Sequence, residues 1–243
     1  MDDSFTEVKL PQMEQAEMFL DNIAGLQKKL IAYFAGQQKK LVKDMLHRKF
    51  LIITSSPNED GLTAACGRAA ADGIQGAGGK AEIVDISAAK LEPCRVCGDG
   101  WGQCRGTAAS IVDDILAELQ AKIRSARGVF LITPVYWGQP SERMKYFLDR
   151  FRRCEAFRRS EGAAAAKHIN LVAAAGGSGN GTATCLVEME QWCRHVNAIP
   201  LERIGITRFN REAMLPVISD AGARLVSGNY FGGEVEKHII TTE

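Results

Sequence analysis

Three cysteines stand close together in Cys94-Arg95-Val96-Cys97-Gly98-Asp99-Gly100-Trp101-Gly102-Gln103-Cys104. A Cys-x-x-Cys spacing permits a local disulfide and can lower a thiol pKa. Thiolates gathered on one short loop are also ligands for zinc or for an iron–sulfur centre, and small thiols can simply pack as hydrophobes. Three further stretches carry backbone donors or flat side chains instead. Thr54-Ser55-Ser56-Pro57-Asn58-Glu59-Asp60-Gly61-Leu62-Thr63 sets hydroxyls and free N–H groups ahead of a helical pattern, a combination that suits a phosphate and equally makes ordinary caps and turns. Neither Gly-Lys-Ser/Thr nor Gly-x-Gly-x-x-Gly occurs there, which excludes a P-loop and a dinucleotide fingerprint at that point. Thr133-Pro134-Val135-Tyr136-Trp137-Gly138-Gln139-Pro140-Ser141 offers two aromatic rings that can flank a flat ligand or cap a core. Ala175-Gly176-Gly177-Ser178-Gly179-Asn180-Gly181-Thr182 again leads into a helical pattern with backbone donors.

The elements that must position these stretches follow from hydrophobic periodicity. After Arg48, short apolar runs alternate with helical stretches, the pattern of a parallel α/β sheet. The runs are Phe50–Thr54, Ala81–Ile86, Gly128–Thr133, His168–Ala174 and Ala198–Ile206, and the helical patterns lie at 62–77, 108–126, 141–158, 182–196 and 216–227. This predicts a doubly wound α/β domain with five parallel strands, whose ligand sits on loops leaving the carboxyl ends of the strands, where strand order reverses. Ahead of it, from Pro11 to Leu46, apolar residues recur at helical spacing (Ala16, Phe19, Ile23, Leu26, Leu30, Phe34, Leu41, Met45), giving one long amphipathic helix or two joined near Gly36. Unbroken it would run about 54 Å, against a radius of gyration of about 16 Å for the rest, so part of it is expected to pack on another subunit.

Taken together, the hydroxyl-rich first loop, Pro134-Val135-Tyr136-Trp137-Gly138 followed by Ser141–Arg150, and the Gly-Gly-Ser-Gly-Asn-Gly loop resemble the NAD(P)H-dependent FMN reductase family, a flavodoxin-like family. Its iron–sulfur flavoprotein branch is nearest. The resemblance covers roughly Lys49 to Leu225 and leaves the N-terminal helical stretch outside it. It implies that Ser56, Asn58, Gly61, Leu62 and Thr63 hold the phosphate of FMN, that Pro134, Val135, Tyr136, Trp137 and Gly138 line the isoalloxazine, and that Gly177, Gly179 and Asn180 meet its other edge. It implies hydride transfer from NAD(P)H through bound FMN to a small acceptor such as a quinone, a nitro or azo compound or free flavin. The cofactor then does the chemistry, and no catalytic side chain is nominated. The alternatives are an iron–sulfur flavoprotein relaying electrons and a non-catalytic flavodoxin-like carrier or interaction module.

Iron–sulfur flavoproteins place a further cysteine three residues after the second, where this chain has Gly100. Cys94, Cys97 and Cys104 are therefore one ligand short of the four that a 4Fe–4S cluster takes. Cys66, Cys154, Cys185 or Cys193, a ligand of another type, or a neighbouring subunit would have to complete the set, and the sequence alone argues against a cluster. Arg150, Arg152, Arg153, Arg158 and Arg159 form a basic stretch that reads as a solvated helix face or as a contact for the NADPH phosphate.

Thirty basic against 29 acidic residues give a formal charge of +1, which provides no overall field for nucleic acid or an anionic membrane. The longest uncharged run, Ile169–Val187, is broken by glycines and is no membrane span. The opening Met1-Asp2-Asp3 lacks a secretory pattern. A cytoplasmic protein is expected, with its seven cysteines reduced. The expected organisation is a helical arm over 1–47 that mediates a homodimer or homotetramer, an FMN-binding domain over 48–228 and a tail over 229–243.

Overall fold

A computed structural model of the chain describes residues 23, 25–38, 49–56, 58 and 60–228. It divides into two units, Met1–Leu46 and His47–Glu243. In the first, residues 25–38 form a helix, α1, that passes through Gly36 without a break. It leaves Leu26, Leu30, Ile31, Tyr33 and Phe34 exposed. The rest of the expected arm and the expected tail lie outside the described residues.

The second unit is built on five parallel strands. β1 (Lys49–Thr54), β2 (Lys80–Asp85), β3 (Gly128–Tyr136), β5 (His168–Ala175) and β6 (Ile199–Thr207) stand in the order β2-β1-β3-β5-β6. A two-residue strand, β4 (Gln139–Pro140), pairs antiparallel with the end of β3. The central strands are continuous apolar runs because helices cover both faces: β1 is buried from Phe50 to Thr54, and β5 from Ile169 to Ala175. The edge strand β2 is mostly exposed and the other edge, β6, mostly half-buried.

Alternate residues of each strand feed two cores. Phe50, Ile52, Phe130, Ile132 and Val172 pack with α2 (Leu62–Gly76) and α7 (Arg211–Ser227). Leu51, Ile53, Val129, Leu131 and Leu171 pack on the opposite face with α4 (Leu116–Ser125), α5 (Glu142–Glu155) and α6 (Thr182–His195). The result is a flavodoxin-like three-layer α/β fold. Its strand order reverses between β1 and β3, which pair in register from Phe50 with Gly128 to Thr54 with Ile132.

The helix expected over 108–126 forms only as α4, preceded by a single turn, α3 (Cys104–Thr107). Between them Ala108 is left-handed at φ 59°, and Ser110 and Asp114 accept from the backbone N–H groups of Val112 and Leu116. Those local bonds compete with the helical ladder. The helix expected over 141–158 ends at Glu155 and tightens into a 3₁₀ segment, Ala156–Glu161. The last helix begins at Arg211, earlier than the expected 216, and carries Pro216 in its interior. Among the described residues no helix is long and apolar enough to cross a membrane.

Candidate functional site

At the carboxyl ends of β1 and β3, where the strand order reverses, three buried hydroxyls meet. Ser141 N–H donates to Thr133 Oγ1 at 2.9 Å, and the Ser141 hydroxyl lies 2.8 Å from Ser55 Oγ and 3.2 Å from the Ser55 carbonyl. Ser55 Oγ in turn stands 3.2 Å from Thr133 Oγ1. Ser141 is also the N-cap of α5, its Oγ accepting from Met144 N–H at 3.4 Å. Because buried polar groups must be paired, this knot fixes the ends of β1, β3 and α5 relative to one another. None of the three residues was singled out as a binding residue from the sequence, although all flank the predicted loops.

The first loop runs from this knot into α2. Asn58 N–H donates to Ser56 Oγ at 3.3 Å, Asp60 N–H to Asn58 Oδ1 at 3.2 Å, and Gly61 N–H to the Asn58 carbonyl at 3.2 Å. Ser87, after β2, braces the loop by donating to the Ser56 carbonyl at 2.8 Å. Gly61 occupies the N-cap of α2, yet no side chain caps that helix and no acidic residue lies in its first turn. The N-terminal N–H groups, including those of Leu62 and Thr63, are thus left without a side-chain acceptor at the positive end of the helix dipole. Pro57 and Glu59 lie outside the described residues.

The aromatic stretch is a hairpin. Pro134, Val135 and Tyr136 extend β3, and Trp137 and Gly138 turn the chain with φ 54° and 78° into β4. Two successive left-handed residues are the pattern of a two-residue type I′ turn. Trp137 is fully exposed and Tyr136 48% exposed, so neither ring caps the core. The glycine loop after β5 lies directly against this hairpin. A Cβ on Gly181, at φ 83°, would stand 2.5 Å from Gly138 Cα, so the two backbones touch. The Thr184 hydroxyl reaches the carbonyls of both, at 2.8 Å and 3.0 Å. Gly177 and Asn180 are exposed, and Gly179 packs toward Thr207 of β6.

All thirteen expected residues thus lie at or just beyond the carboxyl ends of β1, β3 and β5, three neighbours in the sheet, with Pro134, Val135 and Tyr136 ending β3 and Leu62 and Thr63 opening α2. The ties between those loops, Thr184 and Ser87, were missed. Only tertiary structure shows them, since Thr184 bonds a residue 46 positions away.

The cysteine loop lies elsewhere, between β2 and α4, and α5 packs over it. Four thiols line one small cavity: Cys94, Cys97 and Cys104 from the loop and Cys154 from α5, together with Arg95, Ser110, Ile111, Val112, Arg150 and Arg153. Burial pushes the Cys154 thiol up to about 12, helped by the nearby Cys104 and Glu155. Trp101 meets Phe157 edge-on at 5.0 Å and lies under the Arg153 guanidinium at 5.3 Å. The solvated-face reading fails for Arg150, which is 2% exposed. Its guanidinium pairs with buried Asp114 and donates to the Glu92 carbonyl at 2.9 Å and Ser110 Oγ at 2.8 Å. Burial alone would raise the Asp114 carboxyl, but bonds from Arg150 and from the N–H groups of Glu92 and Leu116 hold it below its ordinary value. The reason for the error is that the partner lies 36 residues upstream.

Residues 48–208 match the sequence model of a family described as NADPH-dependent FMN reductase. Over 104 residues, 43% of this chain, it is 30% identical to an iron–sulfur flavoprotein of Methanocaldococcus jannaschii and 30% identical to one of Methanosarcina thermophila. The matched stretch is 52% and 50% of those proteins, so the chain spans about half the length of the curated relatives it matches. Among solved structures, a NAD(P)H:quinone oxidoreductase from Methanothermobacter marburgensis superposes with a TM-score of 0.60 at 18% identity, over 73% of this chain and 96% of that one. At that identity the likeness speaks for the fold.

Proposed function

This chain belongs to the NADPH-dependent FMN reductase family, and on that premise we propose that it is an FMN-dependent oxidoreductase using NAD(P)H to reduce a small acceptor such as a quinone, a nitro or azo compound or free flavin. The observation that carries the reading is the convergence of three open loops at the β1/β3 switch point, one ending in a helix N-terminus without a side-chain cap. The donor set fits FMN: backbone N–H groups for an anion, an exposed aromatic hairpin for a flat ring, and a glycine loop at its side.

In this reading Ser56, Asn58, Gly61, Leu62 and Thr63 bind the phosphate at the start of α2. Pro134, Val135, Tyr136, Trp137 and Gly138 line the ring, and Gly177, Gly179 and Asn180 close its other edge. Bound there, FMN supplies hydride transfer between NAD(P)H and the acceptor. The chain's own work is positional. The Ser55–Thr133–Ser141 knot holds the floor of the crevice, Thr184 keeps the hairpin against the glycine loop, and exposed Tyr136 and Trp137 shape the space where the nicotinamide and then the acceptor stack. We further assign the helical arm over 1–47 to assembly of a homodimer or homotetramer, since α1 exposes a stripe of apolar side chains. The FMN-binding domain then spans 48–228 and the tail 229–243, in a cytoplasmic protein whose thiols stay reduced.

The test is the visible spectrum of protein purified without oxygen, before and after NADPH. Flavin absorption that bleaches on addition and returns with a quinone supports the reading. A protein that neither carries nor takes up FMN overturns it. For the arm, Leu30→Glu combined with Phe34→Glu should lower the mass measured by light scattering, and an unchanged oligomer removes the arm from assembly.

A further inference from the structure

We propose that Arg208, seated on the ring of Phe209 in the loop between β6 and α7, selects NADPH over NADH by binding the 2′-phosphate of its adenosine ribose. The inference rests on the flavin reading, which sets where the nicotinamide stacks, and it deepens that reading by naming the coenzyme and the residue that chooses it.

Position comes first. The loop leaves the carboxyl end of β6, the neighbour of β5 in the sheet, so it lies on the same edge as the loops after β1, β3 and β5. It also touches the crevice, since a Cβ on Gly179 of the glycine loop would stand 2.9 Å from Thr207 Cγ2. Adjacent strands are about 4.8 Å apart, which puts the end of β6 about 10 Å from that of β3, where Tyr136 and Trp137 shape the space for the nicotinamide. On the β1 side the crevice is taken by the phosphate of FMN in this reading, which leaves the β6 side for the adenosine half of the dinucleotide.

The chemistry of the loop fits that half. The Arg208 guanidinium lies 4.6 Å from the centroid of the Phe209 ring, which is itself 73% exposed. Stacking on an aromatic face steadies a long side chain and leaves the guanidinium N–H fork free for a phosphate. The backbone beneath is fixed: Thr207 N–H donates to Asn210 Oδ1 at 2.7 Å, and the N–H groups of Phe209 and Asn210 donate to Thr207 Oγ1 at 3.2 Å and 3.3 Å. Among the described residues Arg208 has no carboxylate partner, whereas Arg203 and Arg224 are tied to Glu190, Glu202 and Asp220. Arg211, exposed at the start of α7, adds a second cation at the same edge, and Glu212 beside it forms an ion pair with neither. The basic stretch of α5 is not placed for this role. Arg150 is buried against Asp114 and Arg153 donates to the Gly100 carbonyl, both at the helix end remote from Ser141 and the crevice.

The test is calorimetric binding of adenosine 2′,5′-bisphosphate, with adenosine 5′-monophosphate as the control, to the full chain, alongside NADPH and NADH kinetics of the FMN-loaded protein. Wild type should bind the bisphosphate about ten- to a hundredfold more tightly than the monophosphate, the range of a hydrogen bond to a charged group, and should prefer NADPH in kcat/KM by a similar ratio. Arg208→Ala should lose that discrimination in both measurements, and its cost should fall on KM rather than kcat because the 2′-phosphate is remote from the hydride. Arg208→Lys, which keeps the charge without the planar fork, should retain part of it. A wild type that binds both nucleotides alike and oxidises NADH as readily as NADPH overturns the proposal, as does an Arg208→Ala protein with undiminished discrimination. FMN is counted in the same samples: a chain that holds FMN without discriminating refutes the coenzyme assignment alone, and one that holds none and oxidises neither coenzyme refutes the flavin reading with it.

Discussion

Replacing Gly181 with alanine tests the contact that holds the aromatic hairpin to the glycine loop. The added Cβ would stand 2.5 Å from Gly138 Cα and 2.9 Å from Gly138 N, and both obstacles are backbone. Neither can rotate away, so the loops must part and the Thr184 hydroxyl must release one of the two carbonyls it reaches. The left-handed backbone at φ 83° adds its own penalty, about 1–2 kcal/mol for a residue with a Cβ. Overpacking contributes a further 1–3 kcal/mol or so. The sum, roughly 2–5 kcal/mol, corresponds to a melting temperature lower by about 5–20 °C for a domain of this size. FMN affinity should fall about tenfold or more, equivalent to roughly 1.4 kcal/mol, because the displaced hairpin carries Tyr136 and Trp137. Gly177→Ala is the control: nothing lies within 4 Å of its Cβ position, so its stability should stay within about 0.5 kcal/mol. Thermal melts with and without FMN, and flavin titrations followed by fluorescence, read both quantities. If Gly181→Ala melts like the Gly177→Ala control and binds FMN like the wild type, the two loops are not held by this contact and the reasoning fails.

Arg150→Met should cost about 3–5 kcal/mol in urea unfolding, because it strands the buried Asp114 carboxylate. Adding Asp114→Leu should recover part of the loss, and a double variant no better than the single one would show that the pair is not the source. Stability should also fall on acidification. Glu190, held down to about 2 by bonds from Arg203 and Arg194, and Asp114, held below its ordinary value, both bind protons more readily in the unfolded chain. Their contributions are complete above the ordinary carboxylate range and vanish as pH drops through the depressed values, so Glu190→Gln should flatten the stability profile between about pH 4.5 and 2. In the native apoprotein a thiol reagent should label Cys94 and Cys97 quickly and the rest slowly, since Cys66, Cys185 and Cys193 are buried with thiols pushed up to about 12. Equal rates at all cysteines, resolved by peptide mass spectrometry, would refute this burial.

Much of this architecture is legible in the chain because the strands are buried on both faces. Phe50–Thr54 and His168–Ala174 read as mainly apolar runs, interrupted in the second only by Asn170, and each falls inside an observed strand. The loops after β1, β3 and β5 are legible because glycines, prolines and aromatics interrupt those runs. Periodicity overreached at 108–115, where Ser110 and Asp114 turn the backbone through their side chains. Arginine on a helix ordinarily means solvent, yet Arg143 and Arg150, seven residues apart, lie along one seam of α5. They donate to the carbonyls of Leu91 and Glu92 at 2.7 Å and 2.9 Å. Cys154 carried a readable sign, following the buried Met144, Phe147 and Phe151 at helical spacing. Which thiols it would join depends on how α5 crosses a loop fifty residues earlier, and no local pattern encodes that.

The same helix spans from the candidate flavin crevice to the cysteine loop without either end constraining the other. The amino end of α5 is tied by Ser141 into the hydroxyl knot beneath the flavin crevice, and its carboxyl end presents Arg150, Arg153 and Cys154 to the cysteine loop. The helical rise from Ser141 to Cys154 separates the two by about 20 Å, well past the range of 7–10 Å or so within which substitutions usually couple. A change at the crevice such as Gly181→Ala should therefore leave the labelling of Cys94 and Cys97 by a thiol reagent untouched, and Cys154→Ser should leave flavin occupancy untouched. The rigid element between them is what makes that independence physical: α5 buries Met144, Phe147, Leu148 and Phe151 against the sheet, so a loop can rearrange at one end without shifting the register of the other.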